Sequence, residues 1–306
     1  MEKTFKKYLE SKGLTKQSSE RMQGDLLRLL NWCEKENLEP EQAGYRDMIG
    51  YVKYLQQRKV KQRTVQIYLG SIKHYYNWLV KRGIREDNPL RNIEIKGIKR
   101  KLLYDIIKMN ELENLYHRFE IPEQDEKKQN QNWYQLQQLT AKRNKAMLGL
   151  MIWQGITTTE LQKLTTSELK LREGNIEIPG GKRSNPRTLK LEAHQVLDLM
   201  EYNLETRKAL LAKSGKETDK LFVTSGKGNN RLTGAISYLI EKLNKLNPRI
   251  TSTNQIRASV ITHWLKLYNL RKTQYMAGHR YVSSTESYLV NDLDDLSEDI
   301  SKYHPF

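Results

Sequence analysis

Hydrophobic residues recur at helical spacing through the first hundred positions. Along MQGDLLRLLNWCEKE, Met22, Leu26, Leu29, Leu30 and Cys33 form one stripe, and Ser18 or Ser19 stands where a cap is expected. A second helix is predicted over 45–57. A third is predicted over 64–81, with Val65, Tyr68, Leu69, Ile72, Tyr76 and Leu79 on its apolar side. Gly83 supplies a stop, and Asn88-Pro89 punctuates the loop that follows.

Beyond position 107 the pattern becomes mixed. Helical spacing returns over 111–119 and 133–153, on either side of the polar stretch EIPEQDEKKQNQN. Three short strands are predicted over 169–172, 175–178 and 187–191, with Glu173-Gly174 and Gly180-Gly181 as turns. A helix is expected over 193–203 and a fourth strand over the LFVT of 221–224. Helices are then expected over 232–243, 254–268, 272–276 and 283–289. The fold class predicted is mainly α with a small antiparallel β-sheet. No doubly wound parallel sheet and no internal repeat is visible.

Length and charge sharpen this reading. Dividing the chain's 306 residues by about 150 suggests roughly two domains. The boundaries expected are a helical domain over 1–90, a basic linker over 91–107, a second domain over 108–289 and a tail over 290–306. No apolar run is long enough for a membrane span, and MEKTFKKYLESKG lacks a signal-peptide core. Cys33 stands alone, so no intrachain disulfide is possible, which fits a cytoplasmic location. No Cys/His cluster resembles a metal site. Asp292, Asp294 and Asp295 are expected to form acidic surface, so neither metal nor cofactor is implied.

The net charge of +17 favours a polyanionic partner, nucleic acid first. Residues 1–100 hold 22 basic and 12 acidic residues, a net of 22 − 12 = +10; the remainder carries +7. From Tyr51 to Arg85 there are nine Lys/Arg and no Asp/Glu, a run suited to phosphates.

The residues that suggest chemistry lie far apart: Lys182 in a predicted hairpin, Arg257 in NQIRASVITHWL, and His279 and Tyr288 in AGHRYVSSTESYL. In order and spacing they resemble the tyrosine recombinases of the phage-integrase family. The resemblance spans nearly the whole chain, with Asn88-Pro89 at the end of a helical core-binding domain and a tyrosine-recombinase catalytic domain after it. AGHRYVSSTESY places Gly278, His279, Thr285 and Tyr288 in the family's histidine turn and nucleophile helix. WQGITTTELQKL matches through Gly155, Glu160 and Leu161, but Thr157 occupies the place of the first catalytic arginine. IEIPGGKRSNPRTLKL puts Lys182 at the catalytic lysine. In the second box Arg257 matches and Asn254 replaces the usual histidine.

What the resemblance implies is phosphoryl transfer on double-stranded DNA, through a 3′-phosphotyrosyl link on Tyr288, without metal or cofactor. Arg257 would clamp the phosphate, and Lys182 would protonate the leaving 5′ oxygen. His279 would contact the phosphate or position Tyr288, and Asn254 would orient the pocket. Thr157 cannot supply a guanidinium charge, so Arg143, Arg183, Arg187 and Arg280 are candidates to replace it. A homotetramer on paired sites, accessory DNA-bending proteins and a protomer contact through the tail are expected on the same basis. Thr157 and Asn254 also fit a DNA-binding regulator without chemistry, and the nucleophile fits a topoisomerase-like enzyme.

Overall fold

The computed structural model describes residues 2–96, 104–122, 127–128, 131–181 and 184–289. Lys182, Arg183 and the tail from position 290 lie outside the described residues, as does part of the expected linker. The chain forms two compact units, Met1–Leu102 and Leu103–Phe306, each with its own core.

The first unit is all helical: α1 (Glu2–Ser11), α2 (Lys16–Lys35), α3 (Tyr45–Gln57) and α4 (Gln62–Lys81). Helix α2 starts earlier than the sequence suggests. Thr15, not Ser18 or Ser19, is the cap, because its hydroxyl accepts the Ser18 N–H and satisfies an orphan donor of the first turn. Ser19 is instead buried inside the helix. The predicted stripe is inward: Met22, Leu26, Leu29 and Cys33 are buried. A polar pin ties α2 to α4, where the Ser71 hydroxyl donates to the buried Asp25 carboxylate at 2.7 Å.

The second unit contains α5 (Met109–His117), α6 (Asn132–Trp153) and α7 (Thr158–Lys163), then β1 (Leu169–Lys170), β2 (Asn175–Ile178) and β3 (Arg187–Lys190). It continues through α8 (Ala193–Glu201), a π-helical turn over 202–206, α9 (Arg207–Ser214), α10 (Thr233–Leu246), α11 (Thr253–Leu267), α12 (Leu270–Ala277) and α13 (Val282–Glu286). The sheet is antiparallel in the order β1-β2-β3, so the predicted class holds: mainly α with one small antiparallel sheet. Helices α6 and α11 run through the core. Helix α11 buries Ile256, Ala258, Val260, Ile261 and Trp264 on several faces, so it lacks a single apolar stripe.

The fourth predicted strand does not form. The backbone of 221–224 is satisfied largely by side chains instead of a neighbouring strand. The Leu221 carbonyl accepts from the Tyr202 hydroxyl, the Val223 carbonyl from Arg143, and the Phe222 carbonyl from Asn230. The Thr224 N–H donates to Asn230. Periodicity does not predict helix α7 or helix α9; α7 is only six residues long.

Candidate active site

Three chain reversals bring the distant motifs together. Gly155 ends the α6 region at φ +56°, and a Cβ there would stand 3.1 Å from the Trp264 ring. Left-handed backbone and a close indole both favour glycine. The Gly155 carbonyl accepts a hydrogen bond from the Arg257 guanidinium. Gly278 caps α12 at φ +67°, and a Cβ there would collide with Arg187 Nη1. The third reversal is the β2–β3 hairpin. Gly181 and Ser184 pair across its tip, Ser184 forms an isolated bridge with His279, and the Asn185 N–H donates to the Gly278 carbonyl at 3.0 Å.

Arg257 projects from α11 and is held by backbone carbonyls. One Nη donates to Gly155 and the other to Ala277 at 2.6 Å, and that second nitrogen lies 3.3 Å from His279 Nε2. Tyr288 follows α13. Its ring stacks on His279 with centroids 5.8 Å apart and planes 10° apart, and the charge of Arg257 acts on its phenol. Burial raises the Tyr288 pKa, while Arg257 opposes that rise. Burial also lowers the His279 pKa to about 4, helped by Arg257 and Arg187, so the imidazole is neutral near pH 7.

Thr157 does not point a free hydroxyl at this cluster. It is the N-cap of α7: its Oγ1 accepts from the Glu160 N–H and donates to Glu160 Oε2, which also accepts the Thr157 N–H. This is a capping box, so the side chain is committed to starting the helix. The same Glu160 carboxylate receives a bidentate pair from Arg187, at 2.7 Å and 3.2 Å. Burial pushes the Glu160 carboxyl upward, but the hydrogen bonds and charge of Arg187, with help from Thr157 and Arg257, hold it below the usual carboxylate range.

Of the four candidate replacement arginines, Arg187 is the one seated against Glu160 and the Gly278 turn, with only 3 % of its surface exposed. Its Nε has no hydrogen-bond partner. Arg143 is corrected: its guanidinium is buried on Asn144 and the Val223 carbonyl, where it supports the 221–224 segment. Arg280 is exposed beyond the His279 turn, and Arg183 is outside the described residues. Asn254 is exposed one helical turn before Arg257, so both share a face of α11. Lys182 is outside the described residues, although the hairpin residues flanking it, Gly181 and Ser184, meet the histidine turn through Ser184.

The sequence contained a signal for Arg187. In RTLK the burial pattern alternates, and Arg187 and Leu189 occupy the inward positions, with Arg187 opposite Ile178 and Leu189 opposite Ile176. A cation at a core position of a two-residue period implies a buried anion, and Glu160 supplies it.

With this geometry in place, comparison with known proteins is decisive for kinship. Residues 121–294 match the phage integrase family, and residues 2–86 match the phage integrase N-terminal SAM-like domain. The chain belongs to the phage integrase family. Among relatives of this integrase-family chain, the tyrosine recombinase XerD of Oceanobacillus iheyensis is 28% identical over 263 residues, covering 85% of this chain and 82% of that protein. XerD of Vibrio vulnificus is 23% identical, covering 96% and 91%. The fold is shared with XerH recombinase in a post-cleavage complex on palindromic difH DNA, at TM-score 0.64, 17% identity and coverage of 85% and 72%. It is also shared with the Tn1549 transposon integrase on a circular intermediate DNA, at TM-score 0.65, 13% identity and coverage of 97% and 98%. Family membership carries the general chemistry of DNA cleavage and rejoining.

Proposed function

We propose that this protein is a site-specific DNA recombinase that cuts and rejoins duplex DNA through a 3′-phosphotyrosyl intermediate on Tyr288. The observation that carries the reading is the convergence of Tyr288, His279, Arg257 and Arg187 beside one buried carboxylate. The Tyr288 hydroxyl gives up its proton to solvent as its oxygen attacks the phosphorus of a phosphodiester. The bond to the 5′ oxygen breaks, a 3′-phosphotyrosyl bond forms, and the leaving oxygen gains a proton. A 5′-hydroxyl then attacks the same phosphorus and releases the tyrosine, so the bond energy is conserved and no external energy source is needed.

A tyrosine hydroxyl is a weak nucleophile at neutral pH, and the pentacoordinate phosphorane carries extra negative charge. Arg257 and Arg187 answer that charge with two guanidiniums. Arg187 takes over the role of the arginine that Thr157 lacks, reaching the site from β3 while Glu160 holds its orientation. Lys182 is the proton donor to the leaving oxygen. Asn254 orients the phosphate or its pocket and does not transfer protons.

The partner in this reading is double-stranded DNA, bound by a domain over 1–90 and a catalytic domain over 108–289, with a linker over 91–107. Assembly is a homotetramer on paired sites, assisted by accessory DNA-bending proteins, with the tail over 290–306 contacting a neighbouring protomer. The complexes of XerH and the Tn1549 integrase with DNA support the choice of substrate. The location is cytoplasmic; among the described residues no helix is long and apolar enough to cross a membrane.

The test is a nicked suicide substrate carrying the cognate site. The wild-type protein should accumulate a covalent protein–DNA adduct, and Tyr288→Phe should bind the same DNA without forming one. Binding without any adduct from the wild type would instead support a DNA-binding regulator, a reading motivated by Thr157 and Asn254. Plasmid relaxation without synapsis would support a topoisomerase-like enzyme.

A further inference from the structure

We infer that Asp25 is a positioning residue that holds Arg21 and Arg28 of α2 as guanine-reading donors for the major groove of the bound duplex. The inference rests on the duplex-DNA substrate of the proposed function, and it assigns base recognition to named side chains of the first unit.

Asp25 is buried in α2, yet three donors share its carboxylate. Arg21 Nη1 donates to Oδ2 at 3.1 Å, Arg28 Nη1 donates to Oδ1 at 2.8 Å, and the Ser71 hydroxyl of α4 donates to Oδ2 at 2.7 Å. The aspartate side chain is 2% exposed, whereas the two arginine side chains are 47% and 55% exposed. Each guanidinium is therefore tied to the interior while much of its side chain stays accessible to a partner. The Arg28 guanidinium also lies over the Tyr68 ring, 5.0 Å from its centroid. Glu20 and Glu34, the other acids of α2, pair with neither arginine among the described residues.

A phosphate contact does not need this arrangement. A carboxylate between two arginines cancels one of their two charges, which weakens their attraction for phosphate. What it secures is direction. An arginine presents its N–H donors in a planar fork, and Asp25 takes only Nη1 from each. The Nε and Nη2 donors, which have no protein hydrogen-bond partner among the described residues, form a parallel pair. Guanine O6 and N7 offer a matching pair of acceptors in the major groove. A side chain already held in place also loses less rotamer freedom on binding than a free one.

The surface around the cluster allows close approach. Gly24 precedes Asp25 and Gly70 precedes Ser71, both inside helices and neither with a positive φ. A Cβ added at either would meet nothing within 4 Å. Glycine inside a helix destabilises it relative to alanine. Neither backbone conformation nor internal packing requires it at these positions, so the missing side chains matter to an outside partner. Helix α4 carries no acidic residue, and Arg63, Gln66 and Lys73 are exposed on the same face as Gly70.

The test starts from duplexes that the full-length wild type selects from a randomised library. The selected site should contain guanines preferred over other bases by about 5- to 150-fold each. Arg21→Lys and Arg28→Lys should each erase the preference at one guanine, with the dependence of log affinity on log salt unchanged, because lysine keeps the charge and loses the fork. Asp25→Asn should weaken the preference at both. Gly70→Ala should raise the thermal midpoint and weaken binding to the selected site, a pairing that a merely structural glycine would not give. Lysine variants that keep every base preference overturn guanine reading and leave a phosphate contact. Folded Asp25→Asn with intact preferences overturns the positioning role. If Asp25→Asn does not fold, the Nε–H order parameters of Arg21 and Arg28 in the free wild type decide that role: restrained groups sustain it and freely rotating ones overturn it. A wild type that enriches no sequence overturns this inference, whereas one that enriches guanine sites and forms no adduct defeats only the recombinase chemistry.

Discussion

Arg187 and Glu160 form a buried pair whose members depend on each other. Removing one partner of such a pair costs about 3–5 kcal/mol, because the other charge remains in a poorly solvated place. Glu160→Ala should therefore lower the thermal midpoint sharply and loosen Arg187, measurable by calorimetry together with cleavage rate. The double change Arg187→Gln with Glu160→Gln removes both charges, so it should recover much of the stability and none of the activity. An active double variant would remove Arg187 from the mechanism. Gly278→Ala is expected to be severe for two reasons, the left-handed backbone and the guanidinium that occupies the space of a new Cβ. His279 adds a pH dependence of definite sign. Its folded pKa is about 4, below the unfolded value of about 6.5. The unfolded chain therefore binds the proton first, so this residue's contribution to stability is complete above the unfolded pKa. It declines as pH falls from there toward 4. A histidine titration seen by NMR at the ordinary value in the folded protein would contradict the buried, arginine-flanked site.

At the scale of elements, the site is assembled from starts and ends of short pieces. Thr157 begins α7 and Ser252 begins α11; the Gly278 turn ends α12 and leads to α13. Thr157→Ala should cost about 1 kcal/mol through loss of the cap, and it should also reduce cleavage by freeing Glu160 to move with Arg187. Thr157→Arg is expected not to raise activity, because it destroys the cap that orients Glu160 while Arg187 still occupies that carboxylate. Measured stability and single-turnover rates of the two variants check both statements. These elements also show how far sequence could be read. The stripe of α2 and the alternation of β2 are legible because each buries one face. Helix α11 remained recognisable through its motif, although burial on several faces blurs its period. The segment 221–224 misled for a physical reason: LFVT has strand composition, yet Tyr202, Arg143 and Asn230 supply the partners a neighbouring strand would have supplied. At the site, motif spacing marked Arg257, His279 and Tyr288. It could not choose among four arginines, because the choice depends on β3 bringing Arg187 to Glu160 across 27 residues.

For the whole molecule, the net +17 is distributed over both units and is concentrated on one stretch of the first. Eight of the nine basic residues between 51 and 85 are exposed, and the half-buried Arg85 is engaged by the Glu41 and Ala43 carbonyls and by Asp87. Those eight are available to phosphates. Arg85 is part of the framework. Replacing Arg58, Lys61 and Arg63 with glutamine should weaken binding to any duplex. It should also flatten the dependence of log affinity on log salt, by about 0.9 in slope for each phosphate no longer neutralised. Arg85→Gln should act first on stability. The +17 total therefore contains cations of different kinds: exposed ones suited to holding DNA, and the Arg257 and Arg187 guanidiniums that the proposed mechanism assigns to the reacting phosphate.

The most direct test of that proposal is identification of the residue that becomes joined to DNA. Wild-type protein would be trapped on a nicked cognate substrate, digested, and the nucleotide-bearing peptide sequenced by mass spectrometry. The prediction is a single phosphotyrosyl linkage at Tyr288 to a 3′ phosphate. A linkage at another residue, or no linkage on DNA that the protein demonstrably binds and pairs, would contradict it.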